Sequence, residues 1–373
     1  MTIAPPHDLA PRVASFDADS FGMPTGRELE WRFAPLELMR PFFEPVEGAG
    51  AVMAVSASDL VVNVAIDSAS STWVPTDRTA AIARAGARSA VIVSVPQEAS
   101  LVEPIVVTLD ADAEFAYQHV EINAGAFSTS KIVIEAKTVA DVSGAIVVNV
   151  ADGADLTLLI VVDGPKTHRL IAHVPATIGR DARFTACTVT LGGRAVRLLP
   201  SVHYAGPGGR AELLGVFLAE GEQYFEQRIF VEHEQPHCTS NVIYKGALSG
   251  AHAHTVWIGD VLVRREAIGT ETYEMNRNLL LSDGPRADSV PNLELETGDV
   301  VSAGHASATG RFDDEQLFYL QSRGIPADLA RQLVVRGFFA DVVGRLGLPQ
   351  WRDDVMQRIS TRLGMAEEGA TDD

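Results

Sequence analysis

From residue 52 to about residue 301, short apolar, β-branched runs alternate with Gly, Asp, Asn and Pro separators such as Asp152-Gly153, Gly192-Gly193 and Gly206-Pro207-Gly208-Gly209. The runs fall at 60–66, 90–95, 105–109, 131–135, 145–150, 155–162, 170–174, 182–190, 195–203, 211–218, 224–232 and 242–244. Many alternate in type from one residue to the next, as a strand does. Helical periodicity is nearly absent, apart from the Ala- and Arg-rich stretch 79–87. Short strands spaced by about 8–15 residues over such a length predict a sandwich, a barrel, a propeller or a β-solenoid. No fixed sequence period emerges, so a regular repeat array is not indicated. The length mildly favours a solenoid with irregular rungs, and composition leaves the choice open.

The flanks read differently. Residues 1–25 are rich in Pro and Asp without hydrophobic period and predict a loose arm. Residues 26–43 predict one or two short helices interrupted at Pro35 and Pro41, since proline lacks the amide donor and clashes with the preceding turn. Trp31, Phe33, Leu36 and Leu38 would then form a small apolar patch that docks on something larger. After Gly310 the pattern becomes helical. Asp313 is placed to cap a helix with Glu315 and Gln316 in its first turn and Leu317, Phe318 and Leu320 toward a core. Gly324 ends it. Pro326 opens a second helix carrying Leu329, Leu333, Phe338, Val342 and Leu346, closed by Gly347. Pro349 opens a third, in which Trp351, Val355, Ile359 and Leu363 recur every four residues. The boundaries predicted are an N-terminal arm and helical region at 1–85, a β core at 86–310 and a C-terminal helical domain at 311–373.

Composition narrows the function. The 373 residues are 46% hydrophobic and 21% charged, enough apolar material for a sizeable core. With 30 Lys and Arg against 49 Asp and Glu, the net charge of −19 repels phosphate backbones and anionic bilayers, so no nucleic-acid or membrane partner is expected. The most apolar stretch, 144–164, is interrupted by Asp152 and Asp155, unlike a membrane span. The first twenty residues lack a basic start and an apolar segment and do not read as a secretory signal. Two cysteines, Cys187 and Cys238, exclude a disulfide framework and a self-contained four-cysteine metal site. Cytoplasmic localisation is expected.

The chemistry on offer is sparse. Gly164-Pro165-Lys166-Thr167 lacks the leading glycine of a phosphate loop, and no dinucleotide fingerprint or nucleophile elbow occurs. His233, His237 and Cys238 form an H-x₃-H-C string, with His252 and His254 following. Read as strand, turn and strand, the two histidines stand about 13 Å apart. They could share a metal only through the turn at Pro236; otherwise they are polar strand ends and Cys238 is a small buried hydrophobe. His305 lies among small residues between the β region and the helices, where another chain could approach closely. Glu294, Glu296, Asp299, Asp313 and Asp314 read as caps and acidic surface.

Residues 279–325 read LLLSDGPRADSVPNLELETGDVVSAGHASATGRFDDEQLFYLQSRGI. This stretch closely resembles the signature of the SufB/SufD family of iron–sulfur cluster assembly proteins. Glu30-Trp31-Arg32-Phe33, residues 95–105, and residues 233–248 with Pro236, Ser240 and Tyr244-Lys245-Gly246 resemble further elements of that family. The resemblance implies a mainly β protein: a right-handed parallel β-helix core flanked by an N-terminal helical region and a C-terminal helical domain. It implies a scaffold subunit and not an enzyme, pairing with a SufB-like paralogue and docking SufC, the ABC-type ATPase to which nucleotide hydrolysis belongs. It implies a transient iron–sulfur cluster shared with the partner and no nucleotide bound by this chain, and it is silent on flavin. A sulfur donor system and apo-proteins would be met indirectly, and a homodimer is plausible in isolation.

The chain is short for a SufB and has no cysteine beyond Cys238, so it resembles SufD. The alternative is a SufB-like subunit that holds the cluster itself. His305 matches the family histidine that faces SufB and is implicated in iron binding or cluster formation. Where some relatives carry a cysteine just before that histidine, this chain has Ala303 and Gly304. The resemblance also implies a SufC contact on the C-terminal helices, with Arg323, Arg331 and Arg336 as the candidate residues. An unrelated β-helix enzyme acting on acidic polysaccharide is disfavoured by the −19 charge and the absent signal.

Overall fold

The computed structural model describes residues 13–56, 61–65, 73–311 and 314–364. In chain order its strands are β1 (Gly50–Ser56), β2 (Val61–Ala65), β3 (Ser89–Val95), β4 (Ile105–Ala111), β5 (Phe115–Ala124), β6 (Thr129–Ala136), β7 (Asp141–Val150), β8 (Asp155–Val162) and β9 (Arg169–Ile178). They continue with β10 (Arg183–Thr190), β11 (Ala195–Tyr204), β12 (Arg210–Glu220), β13 (Tyr224–His233), β14 (Thr239–Ser249), β15 (His254–Val263), β16 (Thr270–Leu280), β17 (Arg286–Leu295) and β18 (Val300–Arg311). The α-helices are α1 (Leu36–Met39), α2 (Arg78–Gly86), α3 (Asp314–Ser322), α4 (Ala327–Gly344) and α5 (Pro349–Arg362).

From β3 onward each strand pairs in parallel with the strand two places on, so odd strands stack into one sheet and even strands into another. The result is a β-solenoid of about eight turns with helices at both ends of the chain, as the resemblance implies. A parallel coil of this kind needs no long crossover, because the opposite sheet supplies the return path. The register pairs Phe115 with Asp141 but His254 with Arg286, so a rung takes 26 residues early and 32 late. That drift hides the repeat from the sequence.

Two regularities hold the coil together. The first is an apolar interior built on strand alternation, with columns such as Ala186, Leu213 and Val242 in direct register. The second is a column of corners. Glu98, Phe127, Gly153, Asp181, Gly208, His237 and Gly269 all take left-handed backbone angles, one per rung. The first six each donate their amide to the carbonyl just before the next corner, as His237 does to Ile268 at 2.8 Å, and Gly269 donates to Asp299 on the last rung at 2.7 Å. Such corners satisfy backbone groups that the strands leave unpaired.

The outer faces are covered unequally. The predicted N-terminal patch docks on the odd-strand sheet: Trp31, Met39, Phe42 and Phe43 are buried there against Ile171, Leu199, Tyr224 and Ile258. Arg197, fully buried, fixes this segment. It donates to Glu226 at 2.8 Å and to the Glu30 carbonyl at 2.8 Å, and stacks 4.0 Å from the Trp31 ring. Helix α2, capped by Asp77, is the helix expected at 79–87. Helices α4 and α5 cover the even-strand sheet, where Val335, Phe339, Val342, Val355 and Ile359 meet Cys187, Leu214, Val216 and Ile243. Lys245 of β14 donates to the Phe338 carbonyl at 2.8 Å, and Arg358 to Glu135 at 2.7 Å.

Helix α3 corrects one expectation. Phe318 does not face a core; it is 73% exposed, because α4 and α5 already occupy the sheet and α3 lies against α4. The expected cap Asp313 lies outside the described residues. No helix among the described residues is long and apolar enough to cross a membrane.

Candidate functional site

The solenoid ends without a lid among the described residues. Among the described residues strand β17 pairs only with β15, and β18 only with β16, which leaves the far edges of both open there. Long open edges of parallel sheet are places where another strand adds. Here the interior also changes character. Leu213 and Val242 share a register column with Glu274 and then His305. Beside it, Tyr244 is followed by Asn276 and Ser307, and Gly246 by Asn278 and Thr309. An apolar core therefore opens onto a polar mouth over its last two rungs.

At that mouth the His305 side chain is 45% exposed, and its Nδ1 lies 3.8 Å from Oε1 of Glu274, whose side chain is 1% exposed. Asn278 donates to Asn276 at 2.7 Å and to Thr309 at 3.3 Å, and Asn276 donates to the Tyr244 carbonyl at 3.3 Å. Burial, reinforced by Asp260 and only partly offset by the Asn292 backbone amide, pushes the Glu274 carboxyl up to about 8. Sequence reasoning missed Glu274. The available signal was the alternation Thr272, Glu274, Asn276, Asn278, a polar stripe on one face of a strand.

The H-x₃-H-C string does not converge. His233 points into the interior and shares a 2.9 Å hydrogen bond with Ser240, and burial pushes its pKa down to about 3. His237 is a left-handed corner, φ 60°, facing solvent. Cys238 is fully buried behind it, with Sγ 3.6 Å from the Gly206 and Pro236 carbonyls, and burial raises its thiol to about 11. Cys187 is buried beneath the C-terminal helices and raised to about 12. Neither is a ready thiolate. His254 bonds Asp288 at 2.7 Å. Because His237 serves the backbone, His237→Gly is expected to stabilise the protein by about 0.5–1 kcal/mol and to leave metal binding unchanged; a urea melt and a metal titration check both halves.

A second cluster, also absent from the sequence reading, joins His203 to Glu232 at 3.3 Å and to Glu234 at 3.6 Å. Burial opposes charge on His203, but the two carboxylates outweigh it and lift its pKa to about 9. Arg264 already bonds Glu232 at 2.7 Å and reaches Glu296 at 3.1 Å. The arrangement is an ion-pair ladder across rungs, complete without a metal.

Arg323, Arg331 and Arg336 are all exposed on or beside α3 and α4. Arg323 lies over the Tyr319 ring at 5.2 Å. Around them Phe318, Tyr319, Leu329 and Leu333 are exposed at 73%, 58%, 39% and 37%.

Comparison with known proteins bears on both regions. Residues 107–338 match the family model described as SUF system FeS cluster assembly, SufBD core domain. The chain is 43% identical over 376 residues to the iron-sulfur cluster assembly SufBD family protein Rv1462 of Mycobacterium tuberculosis, covering 97% of this chain and 94% of that one. It is 41% identical to the SufBD family protein ML0594 of Mycobacterium leprae, covering 96% and 95%. Similarity to the iron-sulfur cluster assembly protein SufD of Escherichia coli is 30% over 217 residues, covering 58% of this chain and 51% of that one. The match to the core model spans most of the solenoid and reaches into α4, and the mycobacterial matches run nearly end to end; this chain belongs to the SufBD family of iron–sulfur cluster assembly proteins.

Proposed function

We propose that this chain is the SufD-like scaffold subunit of a cytoplasmic SufBCD-type complex. It pairs with a SufB-like paralogue through the open end of the solenoid and offers His305 to iron or to the nascent cluster. The observation that carries the reading is the polar mouth, in which an exposed imidazole stands on an end strand paired along one edge, with no thiolate beside it. A cluster takes about four protein ligands, mostly thiolates. One imidazole completes such a site but does not hold it, so a partner must bring the sulfur ligands. The SufB-like alternative needs Cys238 as a ligand, and its burial and raised thiol pKa weigh against that. The open edges of β17 and β18 also suit self-pairing when the partner is missing.

The chain itself is a scaffold, and ATP hydrolysis falls to a SufC-like partner. The C-terminal region, 311–373, is its docking site. Support comes from the exposed Phe318, Tyr319, Leu329 and Leu333 with Arg323, Arg331 and Arg336 among them, an apolar patch with cations.

The test is the iron and acid-labile sulfide content of the anaerobically co-purified three-protein complex. His305→Ala should leave the complex intact and lower both sharply. Unchanged iron and sulfide would make His305 structural.

A further inference from the structure

The last two rungs hold a buried acid that the fold does not use. Neither oxygen of Glu274 accepts a hydrogen bond of normal geometry, and the residue is fully buried. No Lys or Arg ion-pairs with it among the described residues; the basic side chain that lies against it is His305, at 3.8 Å. The space it occupies is kept by Gly259 across the interior. A Cβ there would stand 2.1 Å from Glu274 Oε2 and 2.5 Å from the Trp257 ring. A glycine that opens room for a carboxyl, and a carboxyl with no cation and no well-formed hydrogen bond beyond the weak approach of the Asn292 amide, are together costly to keep in an apolar coil.

We propose that Glu274 is a metal-binding residue that acts with His305, the two side chains ligating one divalent transition-metal ion at the mouth of the solenoid. This rests on the reading of His305 given above and adds a second ligand from the same chain. Metal–nitrogen and metal–oxygen bonds of about 2.0–2.2 Å together exceed the 3.8 Å between Nδ1 and Oε1, so one ion can touch both. An imidazole with a carboxylate suits iron(II), whereas thiolates are the softer ligands that hold clusters. The ion would replace the missing cation of the buried acid. His305 gives access from solvent, and Asn276, Asn278 and Thr309 line the approach with polar groups. The remaining coordination positions are left to water or to a partner. In this arrangement the chain delivers or holds iron next to a site whose sulfur ligands lie elsewhere.

The experiment is an anaerobic titration of the full-length chain with Co(II), whose visible absorption reports on its ligands and which stands in for iron(II). Wild type, Glu274→Gln, Glu274→Asp, His305→Ala and the Glu274→Gln/His305→Ala double variant are compared, with thermal melting as the check on folding. Each single variant is expected to weaken binding at least about tenfold. The double variant should bind no worse than the weaker single, because the two residues serve one ion. Weak binding by His305→Ala with wild-type binding by Glu274→Gln would overturn the role of Glu274 and leave that of His305 standing. Wild-type binding by His305→Ala would overturn both. Lack of a saturable Co(II) site in wild type would overturn the paired site.

Discussion

Arg197→Ala is expected to cost about 3–5 kcal/mol of stability and to loosen the N-terminal segment from the solenoid. The guanidinium is wholly buried and binds three things at once: the Glu226 carboxylate, the Glu30 carbonyl and the face of Trp31. Burial opposes its charge, and Glu226 more than restores it, so Arg197 stays charged. Alanine would strand Glu226 in the interior, where the Tyr224 hydroxyl, 2.8 Å away, still donates to it but a guanidinium no longer does. Chemical unfolding should show the loss, and limited proteolysis should cut faster between residues 13 and 48. The size of the effect depends on the stranded charge. Pairing Arg197→Met with Glu226→Leu should therefore recover most of it. A single variant within about 1 kcal/mol of wild type would mean that the pair behaves like a surface salt bridge and does not anchor the segment.

The strand-rich middle was legible because β-branched runs bounded by Gly and Asp survive any rung length. Strands β5 and β15 are among those that the apolar runs miss, along with β1 and β16 to β18. FAYQHVEINA and HTVWIGDVLV mix polar and apolar residues on both faces, since the outer sheet face is itself covered by the N-terminal segment in places. Alternation is a signal only when one face meets water. The corners were harder still. Glu98, Phe127, Asp181 and His237 hold left-handed positions that a reader assigns to glycine, and the interval between corners drifts with the rung. His237 thus looked like half of a ligand pair when its duty is to the backbone.

The site was legible in a different way. His305 stood out through a family resemblance, and the residues alone gave only a histidine among small neighbours. Glu274 had no such flag. Its importance depends on facing inward, on Gly259 of the other sheet lying opposite, and on His305 standing 31 residues later at the same register, none of which the linear sequence displays. Phe318 erred for the complementary reason. A heptad-like pattern says that an apolar face wants cover, and nothing in it says whether this chain or another provides that cover.

Glu274 should also set the pH dependence of stability. Its folded pKa of about 8 lies above the ordinary 4.5, chiefly through burial and secondly through Asp260. For an acid raised in this way, the neutral form is the one the fold tolerates. Stability is then fully present below about pH 4.5, falls as pH rises toward 8, and levels off above it. The shift corresponds to roughly 3–5 kcal/mol between those limits. Other groups facing this acid act in defined directions. His305 at 3.8 Å favours the carboxylate when protonated, and Asp260 disfavours it, although Arg228 lies 3.9 Å from Asp260. Glu274→Gln keeps the shape and removes the titration. The variant should match wild type near pH 4.5 and exceed it by the full amount at pH 8.5 in urea or thermal unfolding. A difference that stays flat across this range would show that the carboxyl titrates normally in the folded protein. A gain in stability at pH 8.5 together with weaker Co(II) binding would identify an acid kept against the interest of the fold, which is the usual mark of a residue held for function.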